Sequence, residues 1–122
     1  MDPLRICFIE PDEAVRSEYV RRANRRLDWH AVFRPDYKGL NPAEFDVIVA
    51  DVNCYNRNDV DRLREQVQED TLLVLTTTLQ EPAAEDLEDE TGCDVFVKPG
   101  FLFDNLFNYI NGKTQRAVGG RI

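Results

Sequence analysis

Five short apolar runs, most of them closed by a polar residue suited to chemistry, constrain this chain more than any other feature. Leu4–Ile9 (LRICFI) stops at Glu10-Pro11-Asp12, and residues 47–50 (VIVA) stop at Asp51. Residues 72–75 (LLVL) stop at Thr76, Thr77 and Thr78, and residues 95–97 stop at Lys98-Pro99. Residues 29–33 (WHAVF) are the fifth run. Runs that are apolar without strict alternation suit strands covered on both faces, because both sides of the pleat must then be dry.

Helical patterns fill the gaps. Asp12 is placed to cap a helix with Val15, Tyr19, Ala23 and Leu27 on its buried face. Segment 34–45 is broken by Gly39 and Asn41-Pro42, and has room for one or two helical turns. After a loop over 52–58, Asp59 is placed to cap residues 60–68, with Val60, Leu63 and Val67 aligned. Residues 82–91 form an acidic helix closed by Gly92. Residues 101–110 form the last, with Leu102, Leu106, Phe107 and Ile110 as its apolar stripe. Residues 112–122 carry Lys113, Arg116, Arg121 and a Gly119-Gly120 pair, and read as a flexible tail or linker after a single domain over 1–111.

The order β-α-β-(short α)-β-α-β-α-β-α predicts a parallel sheet with helices on both faces. In such open sheets ligands bind beyond the carboxyl ends of the strands. That edge collects Glu10, Asp51, Thr76 and Lys98: two carboxylates, a hydroxyl and an ammonium. Clustered carboxylates repel, and a hard cation such as Mg²⁺ relieves the repulsion through oxygen ligands. A carboxylate is also a nucleophile toward phosphorus, while a lysine and a threonine can stabilise the phosphoryl oxygens.

Composition narrows the partners. The formal charge of −8 disfavours nucleic-acid binding, which needs a basic face, and suits a divalent cation or a protein partner. No apolar run approaches the roughly 20 residues that span a bilayer, and Met1-Asp2-Pro3 lacks the features of a signal peptide. A cytosolic location is expected. Cys7, Cys54 and Cys93 are odd in number and form no CxxC, so free thiols are expected. His30 sits in a strand pattern away from the polar edge and is not read as a ligand. Arg16, Arg21, Arg22, Arg25 and Arg26 crowd the first helix, either as a solvated face or as a docking surface for an acidic partner.

The constellation resembles the receiver domain of bacterial two-component response regulators. The resemblance is carried by FIEPDEAVR (8–16), DVIVADVN (46–53), LLVLTT (72–77) and VFVKPG (95–100), in order and at the right strand ends. It implies an α/β, flavodoxin-like (βα)5 fold with strand order 2-1-3-4-5 and, here, a shortened second helix. It implies that Asp51 accepts a phosphoryl group from a sensor histidine kinase or phosphotransfer protein. Lys98 would pair with that group, and Thr76 would be the switch hydroxyl. Mg²⁺ would bind Asp51, the Asn53 backbone carbonyl and Glu10, with Asp12 a further candidate. Signalling would shift the fourth helical segment, the fifth strand and the last helix, a face that also forms homodimers in the family. No enzymatic turnover beyond autocatalytic phosphoryl acceptance is implied.

The chain departs from the family pattern in several places. Pro11 holds the second position of the acidic pair and offers no side-chain ligand. Val95 stands where an aromatic is usual, and Phe96 falls on the opposite face. Thr77 replaces a common alanine, and the loop after Asp51 reads Cys54-Tyr55-Asn56-Arg57-Asn58. The alternative is therefore a degenerate pseudo-receiver, a binding module that works without phosphorylation. A flavin site of the same topology would need a hydroxyl- and glycine-rich loop where Glu10-Pro11-Asp12 stands.

Overall fold

The computed structural model describes residues 3–52, 57–67, 70–78, 83–97 and 102–119. In chain order the elements are β1 (Leu4–Ile9), α1 (Glu13–Ala23), β2 (Trp29–Arg34), a 3₁₀ turn (Pro42–Glu44), β3 (Val47–Asp51), α2 (Arg57–Gln66), β4 (Leu72–Thr77), α3 (Ala83–Thr91), β5 (Asp94–Val97) and α4 (Leu102–Gly119). The strands form one parallel sheet in the order β2-β1-β3-β4-β5. The expected strand order holds, and a single 3₁₀ turn stands in for the second helix.

Alternation along the strands builds two cores. Ile6, Phe8, Val47, Val49 and Val74 face Tyr19 and Ala23 of α1 and Leu106, Phe107 and Ile110 of α4. Cys7, Ile9, Ile48, Ala50, Leu73 and Leu75 face Val60 and Leu63 of α2 on the other side. Every residue of β3 is buried, as a central strand covered on both faces requires.

Asp12 caps α1 as its position implied, accepting from the amides of Ala14 at 2.9 Å and Val15 at 3.3 Å. Leu27, however, is 97% exposed and lies off the buried face. The helix has already ended at Ala23, and the turn that follows closes through Arg26 N–H to the Ala23 carbonyl at 2.9 Å. Trp29 enters the core instead, its ring 4.9 Å from that of Phe107. Helical spacing loses its meaning once the helix stops.

Two other helix boundaries move. α2 starts at Arg57, so Asp59 lies inside the helix and not at the cap position before it. At the far end of the chain, α4 runs on through segment 112–119, which had read as tail. Gly112 is helical with nothing near its missing Cβ, and the Thr114 hydroxyl donates to the Ile110 carbonyl at 2.8 Å. Gly92, by contrast, does stop α3: its φ is +72° and its amide donates to the Glu88 carbonyl at 2.8 Å.

Candidate functional site

Strand register assembles the site. On the α1–α4 side, Phe8, Val49 and Val74 lie side by side as one row of the sheet. Two residues on, alternation brings Glu10, Asp51 and Thr76 out on the same face. Asp51 is the direct register partner of Thr76, and Thr76 that of Phe96. The three polar residues are each about 1% exposed. An acid, a second acid and a hydroxyl thus sit at the carboxyl edge of the central strands, within a water-poor setting that strengthens every electrostatic contact.

The loop after β1 is shaped around Glu10. Its carboxylate accepts from the Asp12 amide at 3.0 Å, and its own amide donates to the Arg34 carbonyl at 2.9 Å. The Arg16 guanidinium donates to the Glu10 carbonyl at 2.8 Å and reaches the Pro11 carbonyl at 3.4 Å. One of the five arginines read as the first-helix stripe therefore braces the site; α1 itself holds only Arg16, Arg21 and Arg22, since it ends at Ala23.

Lys98 and Asn53, both read from the sequence as site residues, lie outside the described residues, as do Pro99 and Cys54. Thr77 is fully buried and, by alternation with Leu75, belongs to the opposite face from Thr76, so Thr76 is the threonine on the face of Asp51. Val95 packs into the α2-side core, while Phe96 turns toward α4 and meets the Tyr109 ring edge-on at 5.3 Å. The two residues do face opposite ways.

Sequence reading missed Tyr19 as part of this site. Its ring stacks on Phe8 at 4.6 Å, and the residue is buried. Burial pushes its ionisation up, the Glu10 and Asp51 charges push it further, and the Thr76 side chain pulls weakly back. Among the described residues the hydroxyl has no hydrogen-bond partner of full geometry. The only sequence signal was the type of residue: a tyrosine at a core position whose ring contacts a phenylalanine would also make.

The donor set only partly suits a metal. Glu10 and Asp51 offer carboxylates, but Pro11 offers none and the Asp12 carboxylate is committed to the end of α1. Among the described residues no three acidic, histidine or cysteine side chains come together as a metal-holding group. Cys7 and Cys93 are free thiols, and burial pushes Cys7 up to about 12, against the pull of Arg34. No helix among the described residues is long and apolar enough to cross a membrane.

Two of the remaining four arginines, Arg22 and Arg26, are half-buried and reach across the chain. Arg21 and Arg22 both bond Glu18, Arg22 reaches Asp104 at 2.9 Å, and Arg26 reaches Asn111 at 2.7 Å. Arg22 also lies over the Phe103 ring and Arg26 over the Trp29 ring. Arg22 of α1 and Arg26 of the turn after it thus form an intramolecular clamp onto α4, which leaves Arg21 and Arg25 exposed.

No protein-family model matches the sequence, and a search of curated proteins finds no match. Solved structures match in fold. The response regulator DrrB of Thermotoga maritima, an OmpR/PhoB homolog, superposes with a TM-score of 0.75 at 18% identity, covering 94% of this chain and 54% of that one. This chain thus spans about half the length of that protein. A second Thermotoga maritima response regulator gives 0.71 at 17% identity, over 93% and 98% of the two chains. The Vibrio cholerae chemotaxis protein CheY4 gives 0.67 at 19% identity, over 89% and 98%. The chain has the flavodoxin-like fold of response-regulator receiver domains.

Proposed function

We propose that this domain is the receiver of a two-component phosphorelay. In this reading it accepts a phosphoryl group on Asp51 from a sensor histidine kinase or a phosphotransfer protein. The observation that carries the reading is the buried row Glu10–Asp51–Thr76 at the carboxyl edge of a sheet with receiver topology. An Asp51 carboxylate oxygen attacks phosphorus, the bond from phosphorus to the donor's imidazole nitrogen breaks, and the electron pair leaves on that nitrogen. The Thr76 hydroxyl, opposite Asp51 in the sheet, donates to a phosphoryl oxygen, and the Lys98 ammonium pairs with another. Mg²⁺, held by Asp51, Glu10 and the Asn53 carbonyl, would neutralise charge at this edge. The domain turns over no other substrate.

Output runs through α3, β5 and α4, the face where the homodimer is also proposed. The coupling is physical: Val95 N–H donates to the Glu88 carboxylate of α3 at 3.1 Å, and Phe96 packs on Tyr109 of α4. The acidic balance of −8 favours protein partners over nucleic acid, and a cytosolic setting suits both partner and free thiols.

A second reading draws support from Pro11 and from the capping role of Asp12, which together thin the metal ligands. In that reading the domain binds its partner without phosphorylation. One experiment separates the two. Intact-mass analysis after incubation with Mg²⁺ and acetyl phosphate is expected to show one added phosphoryl group, and Asp51→Asn to abolish it. No gain with acetyl phosphate or with a phosphorylated kinase would overturn the first reading and favour the second.

A further inference from the structure

The turn that leaves β1 cannot close on its own backbone. Glu10, Pro11 and Asp12 separate β1 from α1, and Pro11 has no N–H to give. The next amide, that of Asp12, goes to the Glu10 carboxylate at 3.0 Å. The carbonyls of Glu10 and Pro11 therefore depend on a donor from elsewhere, because a carbonyl shielded from water needs a partner. Among the described residues that donor is Arg16, in the first turn of α1. Its Nη1 lies 2.8 Å from the Glu10 carbonyl and 3.4 Å from that of Pro11.

We propose that Arg16 is a positioning residue of the Asp51 site: by bridging the Glu10 and Pro11 carbonyls it fixes the turn whose Asp12 amide holds the Glu10 carboxylate. The effect on Asp51 chemistry rests on the receiver reading; the bracing of the turn does not. The hydrogen bonds close a circuit. The Arg16 side chain donates to the Glu10 carbonyl, the Arg16 amide donates to the Asp12 carbonyl at 2.9 Å, and the Asp12 amide returns to the Glu10 carboxylate. The Asp12 carboxylate cannot help, since it caps α1 through Ala14 and Val15. Arginine suits the task, because Nη1 carries two N–H groups in a fixed plane, enough for both carbonyls. Glu10 is buried at the edge where Asp51 emerges, so a small shift of its charge is felt strongly there.

The test compares the wild-type chain with Arg16→Met and Arg16→Lys. Amide hydrogen exchange is followed by NMR, and phosphorylation is followed with acetyl phosphate and Mg²⁺. In Arg16→Met the Asp12 amide is expected to exchange about 10-fold faster, while the amides of β3 change less than about 3-fold. Its maximal rate of phosphorylation is expected to fall about 3- to 10-fold, with the half-saturating acetyl phosphate concentration within about 2-fold of wild type. Arg16→Lys keeps a cationic donor and is expected to fall between the two in both readouts. If Arg16→Met fails to fold, Arg16→Lys carries the same comparison. Unchanged exchange at Asp12, or equal acceleration at Asp12 and throughout β3, overturns the proposal. So does a wild-type rate, or a loss confined to the half-saturating concentration, which would make Arg16 a charge that attracts the donor. If the wild-type chain takes no phosphoryl group, the receiver reading falls, and exchange at Asp12 alone decides whether Arg16 holds the turn.

Discussion

Four carboxylates in this chain show how little residue type alone decides. Asp12 serves a helix end, Glu10 takes the amide of a loop, and Asp51 stands at the end of the central strand. Asp46, one residue before β3, has a fourth task that its sequence position did not reveal. It accepts from the Arg5 amide at 3.0 Å and from the Arg5 guanidinium at 3.1 Å, while its own amide donates to the Arg5 carbonyl at 2.8 Å. Its carbonyl accepts from Leu72 at 2.9 Å, so one residue ties together the starts of β1, β3 and β4. Burial pushes the Asp46 carboxyl up, but the Arg5 hydrogen bonds and charge outweigh it and hold it below its ordinary value. A lowered folded value means stability that is present above the unfolded value near about 4 and lost as pH falls through the folded one. The pair is substantially solvent-exposed, so the effect is small, about 1 kcal/mol or less. Asp46→Asn is therefore expected to unfold at slightly lower urea at neutral pH, with the gap to wild type closing below about pH 4. A gap that widens in acid would contradict this account.

At the scale of elements, the pairing of α1 with α4 was not legible in advance. A stripe of arginines in sequence can be a solvated face or a docking surface, because charge pattern says nothing about what crosses it. The fold supplies α4, and Arg22 and Arg26 lay their stems and guanidinium planes on Phe103 and Trp29 while bonding Asp104 and Asn111. Such side chains contribute by packing as well as by charge. Replacing both with alanine is expected to cost about 1–2 kcal/mol of stability in urea unfolding, even at high salt. A loss that vanishes in salt would mean exposed ion pairs alone, and no loss at all would return the stripe to solvent or to a partner. The end of α4 teaches the same lesson. Gly112 and the basic residues after it read as a tail, yet a helix already packed through Leu106, Phe107 and Ile110 carries its backbone hydrogen bonds onward.

Across the whole molecule, Phe8 is the point where the elements meet. Its ring contacts those of Tyr19, Trp29, Phe33 and Phe107, drawing α1, β2 and α4 onto β1. Phe8→Ala is expected to cost about 3–5 kcal/mol, measured as a fall in the urea midpoint with an unchanged slope. It also removes the floor on which Tyr19 stands. A loss below about 1 kcal/mol would show that the α1–α4 core can collapse around the gap.

What the sequence determined alone was the set of strands, their parallel arrangement and the edge at which Asp51, Glu10 and Thr76 emerge. Those follow from local facts: apolar runs too continuous for a half-wet strand, a polar residue where each run stops, and a helix between one strand and the next. What only the tertiary structure decided was which side chains meet across elements. Leu27 fell outside the core because α1 ended first, and two of the arginines near α1 found α4. Tyr19 and Asp51 stand far apart in the chain, and no local spacing relates them. Only the crossing of α1 over the sheet, held by the Phe8 stack, buries a phenol where the Glu10 and Asp51 charges push its ionisation up.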